Sequence, residues 1–412
     1  MKQLWRSPTL RSMVVYGAAG AGFAGANLIL ARVLPKDEYG LFTLVIALMN
    51  LGYSLAPTGV DGIVNRRHLE AGPSLLRRVV LASSSVAVIF AAIGLFAYDL
   101  SPMLALLIFI STAAGGALLV AGAKFQSEHR FAISLTLIQS PNIILLFAAL
   151  AVFVLHTTSA WPAILISSAG LVIAAIFGWS LLFRERHGKP QRESGFAWKE
   201  ALSFAGLEVA GLTLVQLERL VIPHVLPITE MATFGVLAAI VGSLFRVMQM
   251  GVGYTLLPRL RASTTVVQRR KLIAREAKLV GRITVLGCAL IWFVTPLVEH
   301  AFLRGKYHLP ASLIFAALAS GIAKILNAFA KATVSALATA RELALINFLG
   351  WGSVLLAVAA AIVGARWGLT GVIYGVALGW LLRAATAGYP ILKHLRVPDV
   401  VTGQQPAPAL ER

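Results

Sequence analysis

The sequence predicts an all-α polytopic membrane protein, with twelve transmembrane helices in two six-helix lobes related as a parallel repeat. Three observations carry that expectation. Mean hydropathy is +0.81, with 58% hydrophobic and 13% charged residues, which is more apolar surface than one soluble core can hide. Apolar stretches long enough to cross a hydrocarbon layer, roughly 20 helical residues each, recur from one end of the chain to the other. Lys and Arg, in a chain of net charge +19, gather in alternate gaps between those stretches.

The stretches run 13–31, 40–59, 79–97, 104–122, 132–155 and 162–183 in the first half, then 201–222, 231–257, 283–303, 311–338, 343–363 and 371–392 in the second. Continuous apolarity without period-two alternation favours helices over an outer-membrane barrel. The first stretch is long and has no small-residue cleavage site, so it reads as a retained helix. Gly17, Ala21 and Gly25 in that helix, and Gly371, Gly375 and Gly379 in the last, stand at four-residue spacing, which lets helix backbones approach closely. Pro57, Pro141 and Pro296 fall in or near the ends of helices two, five and nine, where a missing N–H can bend a helix. Cys288 has no second cysteine to bridge, and the eight histidines lack metal-ligand spacing, so no redox group, metal or other cofactor is expected.

Charge sets the topology. Of the 36 Lys and Arg residues, five lie on one face (Arg32, Lys36, Arg304, Lys306, Arg366) and five inside the spans. The other 26 share the opposite face with both termini, which the positive-inside rule makes cytoplasmic. The most basic gap follows helix eight, with Arg259, Arg261, Arg269, Arg270, Lys271, Arg275, Lys278 and Arg282. Such gaps attract anionic phospholipid headgroups, at about 1 kcal/mol per residue near the surface. No aromatic or groove-reading residues are organised among them for nucleic acid.

The halves echo each other. Leu34-Pro35-Lys36-Asp37-Glu38, then Phe42, matches Leu226-Pro227-Ile228-Thr229-Glu230, then Phe234, and at the same offset Arg77-Arg78 falls on Arg269-Arg270. The expected division is an N-terminal lobe 1–195, a C-terminal lobe 196–395 and a disordered cytoplasmic tail 396–412. Six helices per unit give both copies one orientation, and transporters built that way bind at the interface between lobes.

Five cations remain inside the spans: Arg219, Arg246, Lys324, Lys331 and Arg383. Each costs roughly 2.5–3.5 kcal/mol or more at a helix centre, so it faces a bundle interior or a hydrated cavity. Helical rise puts Arg246, Lys324 and Arg383 roughly 18–23 Å from the outer ends of their helices. Arg219 falls near the outer end of helix seven and Lys331 in the inner third of helix ten, where snorkelling or interhelical hydrogen bonding would account for them. The only acids in the spans are Glu208 and Glu218, which leaves positive charge in excess; Glu208 is the candidate for H⁺ or Na⁺ coupling. Lys324, Asn327 and Lys331 share one stripe of helix ten, Arg246 and Gln249 one of helix eight, and Asn27 lies near mid-depth in helix one. These eight residues are the candidate binding groups for an anion such as phosphate, pyrophosphate or an acidic sugar, and they would repel organic cations.

The chain resembles the Wzx-type oligosaccharide-lipid flippases of the multidrug/oligosaccharidyl-lipid/polysaccharide exporter superfamily. The residues are Leu30-Ala31-Arg32-Val33-Leu34-Pro35-Lys36-Asp37-Glu38-Tyr39-Gly40-Leu41-Phe42, the segment 59–67, Gln216-Leu217-Glu218-Arg219, Leu257-Pro258 and Gly305-Lys306-Tyr307. The family often has Gly where Pro35 stands and Asp where Glu218 stands. The resemblance implies a MATE-like pair of lobes and alternating access. It further implies transfer of a lipid-linked oligosaccharide, on polyprenyl pyrophosphate, across the bacterial inner membrane for O-antigen, capsule or exopolysaccharide synthesis, beside glycosyltransferases and a polysaccharide polymerase. The related lipid II flippases concentrate arginines on helices one, two and eight, whereas helices one and two here lack mid-membrane cations.

Three alternatives compete. A cation-coupled drug antiporter usually relies on a first-lobe carboxylate, and helix one offers only Asn27. A major-facilitator transporter has a Gly-to-Asp spacing after helix two that Gly59-Val60-Asp61 does not keep. A membrane polymerase or glycosyltransferase needs long outer loops, which are short here, and no phosphate-loop motif occurs.

Overall fold

The computed structural model describes residues 8–67, 69–184, 196–263 and 265–396; the side chains of 8–16 and of several helical positions, Glu208 among them, lie outside that description, as do 397–412 of the expected tail. The first half contains α1 (Pro8–Val33), α2 (Lys36–Leu55), α3 (Val60–Arg67), α4 (Pro73–Ala97), α5 (Pro102–Ser127), α6 (Phe131–Val154) and α7 (Trp161–Arg184). The second contains α8 (Trp198–Val225), α9 (Ile228–Leu237), α10 (Ser243–Ala262), α11 (Val266–Leu297), α12 (Ala311–Leu337), α13 (Ala340–Gly364), α14 (Gly368–Thr386) and α15 (Gly388–Arg396). No strand occurs among the described residues.

Nine stretches of the described residues are long and apolar enough to cross a membrane, and one of them, Arg341–Leu395, contains both α13 and α14. α1 and α8, at 26 and 28 residues, are long enough as well, which completes twelve spans. The short helices α3 and α15 lie at the basic face. Within the first half α1 packs on α6, α4 on α5, and α5 on α7; within the second α13 packs on α14, α12 on α14, and α10 on α12. The halves meet mainly where α2 lies against α8 and α9, and α1 against α10.

Local chemistry starts several helices. Ser101 accepts from the Leu104 N–H and Pro102 follows it at the head of α5; Thr265 caps α11 through the Gln268 N–H. Thr339 and Glu342 form a reciprocal capping box on α13. Pro35 and Pro227, the repeated prolines, precede α2 and α9 with nearly the same backbone, φ −52°, ψ 155° and φ −58°, ψ 151°. One turn chemistry thus launches the corresponding helix of each half.

Three sequence expectations change. Span eight is not one continuous α-helix: a π-helical turn, Ala238–Gly242, separates α9 from α10. The basic gap after it is mostly helix, since α11 begins at Val266, well before the apolar stretch. The two glycine stripes also part company. β-Carbons at Gly371, Gly375 and Gly379 would collide with α13 at Gly364, Ala360 and Ala357, whereas those at Gly17 and Gly25 would meet nothing within 4 Å. Gly17, Ala21 and Gly25 lie on the side of α1 away from buried Ala19, Ala26 and Leu30, so among the described residues the two glycines of that stripe bring no helix into close contact.

Candidate functional site

The halves approach closely at both ends of the seam: on the basic face a β-carbon at Gly59 would strike the Ala201 carbonyl, and on the sparsely charged face α2 meets α9. A β-carbon at Gly40 would strike the Ile228 carbonyl, and one at Gly235 would come within 2.7 Å of Thr43 Oγ1 and 3.0 Å of the Tyr39 ring. Glycine on both helices therefore brings α2 against α9 and sets Tyr39 at the junction. Tyr39 donates to Asn27 Oδ1 at 3.4 Å, while Asn27 donates to the Phe23 carbonyl at 2.8 Å. Asn27 is thus engaged inside the first half, and Tyr39 stands between it and α8.

Across the seam are the cations. Lys324 Nζ pairs with Glu218 Oε1 at 2.8 Å, Ser320 donates to the same oxygen at 3.4 Å, and Glu218 is only 2% exposed. The Lys324 ammonium also stands 6.0 Å from the centre of the Trp380 ring. Lys324 is therefore neutralised, a pairing that the separation along the chain hid. Glu218 turns away from its neighbour Arg219, as helix geometry requires, and reaches α12 instead.

Arg219 donates to Gln216 Oε1 at 3.0 Å, and its buried Nε has no partner among the described residues. It lies within electrostatic range of Tyr39, Glu218 and Arg246, and Arg246 in turn within range of Tyr53. Arg219 keeps its expected place toward the outer end of α8, six residues before Val225 and within electrostatic range of Tyr39, whose ring lies 6.3 Å from that of Tyr307 in an outer turn. Arg246 follows the π-helical turn by one helical turn; the inserted residue rotates all that comes after it, a device that often marks functional sites. No acidic side chain pairs with either arginine among the described residues.

Arg383 occupies a different place. Its guanidinium lies in a slot between α8 and α13, where β-carbons at Gly211 and Gly350 would each come 3.3 Å from one of its nitrogens, and Nη1 is buried without a partner among the described residues. Asn327 is 9% exposed and makes no hydrogen bond among the described residues, Gln249 is half-buried, and Lys331 is exposed. The structure thus brings together Arg219, Arg246 and, through Tyr39, Asn27. It separates Arg383 and Lys331 from them and removes Lys324 from the free cations. Glu208 lies outside the described side chains.

Tyr39 and Gln216 stand in the motifs of the family resemblance but not among the candidate binding groups, and the sequence reading passed over Tyr53. Tyr53 also lines a cavity of about 30 Å³ in the first half, with Phe23, Asn50, Asn142 and Ser167. That cavity is neutral and mostly apolar, lined also by Ile46, Met49 and Leu145, with Ser167 Oγ unpartnered among the described residues. Tyr39 and Tyr53, polar groups fourteen residues apart on one apolar helix, were the available signal.

Both ends of the seam carry contacts. On the sparse face, Lys306 donates to the Ala31 carbonyl at 2.8 Å and to that of Leu34, and Tyr307 to Ala31 at 3.3 Å. These two residues of the second half satisfy the open carbonyls at the end of α1. Burial, with Lys36 nearby, pushes the Lys306 ammonium below its usual range. Tyr98 donates to the Leu220 carbonyl at 2.8 Å and stacks on His224. On the basic face, Arg66 at 3.0 Å and Arg67 pair with Glu200.

No family model matches the chain, and no curated protein matches it. Solved structures do. Lipid II flippase MurJ in an inward closed conformation is 11% identical, with 94% of this chain and 89% of that chain covered and a TM-score of 0.62. A multidrug resistance MATE family transporter of the MOP superfamily, inward-facing, is 15% identical over 93% of each chain with a TM-score of 0.58. The eukaryotic MATE transporter AtDTX14 is 12% identical, covers 94% and 97%, and scores 0.52. At these identities the likeness is one of fold: the chain has the MATE-like architecture, and its chemistry must be read from its own residues.

Proposed function

We propose that the protein is a flippase that carries a lipid-linked, anionic oligosaccharide, a polyprenyl-pyrophosphate-linked sugar unit, across the membrane by alternating access. One observation carries this reading: Arg219 and Arg246 lie within electrostatic range of each other at the seam between the halves, and among the described residues no acidic side chain forms an ion pair with either. Two like charges in a low dielectric repel, and an anion between them removes that repulsion and gains charge-assisted hydrogen bonds. Tyr39 beside Arg219 and Tyr53 beside Arg246 place hydroxyls at two levels about 21 Å apart along α2, which suits an elongated ligand. A cationic seam disfavours the organic cations of a drug antiporter.

In this reading the basic face is cytoplasmic in a bacterial inner membrane, the Lys306–Tyr307 contacts close the periplasmic side, and the sugar comes from glycosyltransferases and passes to a polymerase. An H⁺ or Na⁺ gradient is the proposed drive. Proteoliposomes holding a fluorescent lipid-linked pyrophosphate oligosaccharide test it: the wild-type chain should flip the lipid, Arg219→Gln with Arg246→Gln should lower the rate at least tenfold, and Lys331→Gln should change it little. Undiminished flipping by the double variant removes the site, and uptake of a cationic dye in place of the lipid removes the function.

A further inference from the structure

We propose that the extension of α11 beyond the membrane core is a docking surface for anionic phospholipid headgroups of the leaflet on the basic face. Lys271, Arg275, Lys278 and Arg282 follow one another at steps of four, three and four residues. At 100° per residue all four fall within about 40° of one line along the helix. That line is opposite the packed side of α11, where Glu276, Gly287 and Ile291 are buried. All four cations are exposed, and none forms an ion pair among the described residues. The one acid in this stretch, Glu276, points the other way and is taken by Arg259 at 2.5 Å.

The same outward line continues beyond Arg282 as apolar surface: Val285 is 69% exposed, Leu286 70% and Phe293 76%. The switch from cationic to apolar at Arg282 marks the boundary between headgroups and acyl chains. α11, at 32 residues, is about 48 Å long, against a hydrocarbon core of about 30 Å, so its first turns must leave the core. An occupant of this line therefore touches hydrocarbon at one end and four positive charges at the other. That is the chemistry of an anionic phospholipid rather than of a soluble acidic protein. Arg270, beside the stripe, donates to the Leu395 carbonyl at the end of α15, which holds that short helix against α11 and keeps the stripe's flank in place.

The expected attraction of about 1 kcal/mol per cation corresponds to roughly fivefold per residue, and the outermost Lys271 contributes least. Native mass spectrometry of the full chain released from nanodiscs of equal phosphatidylglycerol and phosphatidylcholine tests the surface. The wild type should retain phosphatidylglycerol at least tenfold over phosphatidylcholine, the fourfold Gln variant of the stripe should approach parity, and Lys278→Gln with Arg282→Gln should fall between. Arg341→Gln, off the stripe, should behave as wild type. Equal retention of both lipids by the wild type, unchanged preference in the stripe variants, or displacement of the lipid by soluble glycerol phosphate would each overturn the proposal. The readout is lipid retention without transport, so it stands or falls apart from the flippase reading.

Discussion

The two halves share one architecture and are filled with different chemistry. Inside the first, neutral groups bind one another: Ser111 to Ser168 at 2.9 Å, Trp179 Nε1 to the Ala117 carbonyl at 3.0 Å, Asn142 to Gln139 at 2.9 Å and Ser83 to the Ala56 carbonyl at 3.2 Å. Inside the second stand Lys324 with Glu218, Arg219, Arg246 and Arg383. A helix bundle can satisfy neutral polar groups within itself at small net cost, but buried charge needs a partner. Under the proposed function the difference gives support to the first half and ligand recognition to the second, with Tyr39 and Tyr53 as the first half's side of the seam.

The sharpest way to break the contrast is to strand its buried acid. Lys324→Ala leaves Glu218 unpaired and should cost about 3–5 kcal/mol, read as a lowered thermal unfolding midpoint in detergent. Lys324→Met with Glu218→Leu should recover most of that loss; if the single change costs nothing, the pair is not structural.

Next come the glycine stripes, one in each half. Gly375→Ala forces a methyl into α13 and should cost about 1–3 kcal/mol, whereas Gly25→Ala, facing open space, should leave stability unchanged or raise it by up to about 1 kcal/mol. Equal losses at the two sites would mean that α1 also packs through its stripe.

A smaller effect is expected at the latch joining the halves. Lys306→Met removes the donor that holds the end of α1, and a cysteine at buried Leu34, in a Cys288→Ser background, should react several-fold faster with an aqueous thiol reagent. An unchanged rate would show that Lys306 does not keep that face shut.

The smallest effect concerns pH. His394, then the Thr339 N–H and Lys393, hold the Glu342 carboxyl well below the usual carboxylate range. A lowered carboxylate pKa contributes stability that is fully present above its unfolded value, about 4.3, and is lost as pH falls through the folded value. Hydrogen exchange in α15 should stay flat from pH 7 to 5 after correction for intrinsic rates, and should rise only in stronger acid. A rise between pH 7 and 5 would show that the Glu342 carboxylate does not hold α15 in place.

Much of this was legible along the chain because it depends on local patterns. The spans follow from runs of apolar residues, and the repeat shows in Leu34-Pro35 and Leu226-Pro227, whose equal backbone angles are a local consequence of proline. Arg219 and Lys324 were visible as cations in apolar context, yet their roles diverge through contacts that no local pattern encodes. Glu218 lies next to Arg219 in sequence and pairs with Lys324 on α12. Arg383 looked like a member of the central set and is instead held in a slot made by two distant glycines. The basic gap after helix eight read as a loop because charge density hid its helical spacing, which the unbroken α11 makes plain.

Composition and order of residues alone determined that this chain lives in lipid, how many times it crosses, and which face carries its charge. Those properties follow from solvent transfer, which acts residue by residue. Which cation is neutralised, which glycine stripe is filled and which tyrosines meet the arginines were decided by tertiary structure alone. Such outcomes depend on distances between helices, and electrostatic pairing and packing both fall away within a few ångströms of contact.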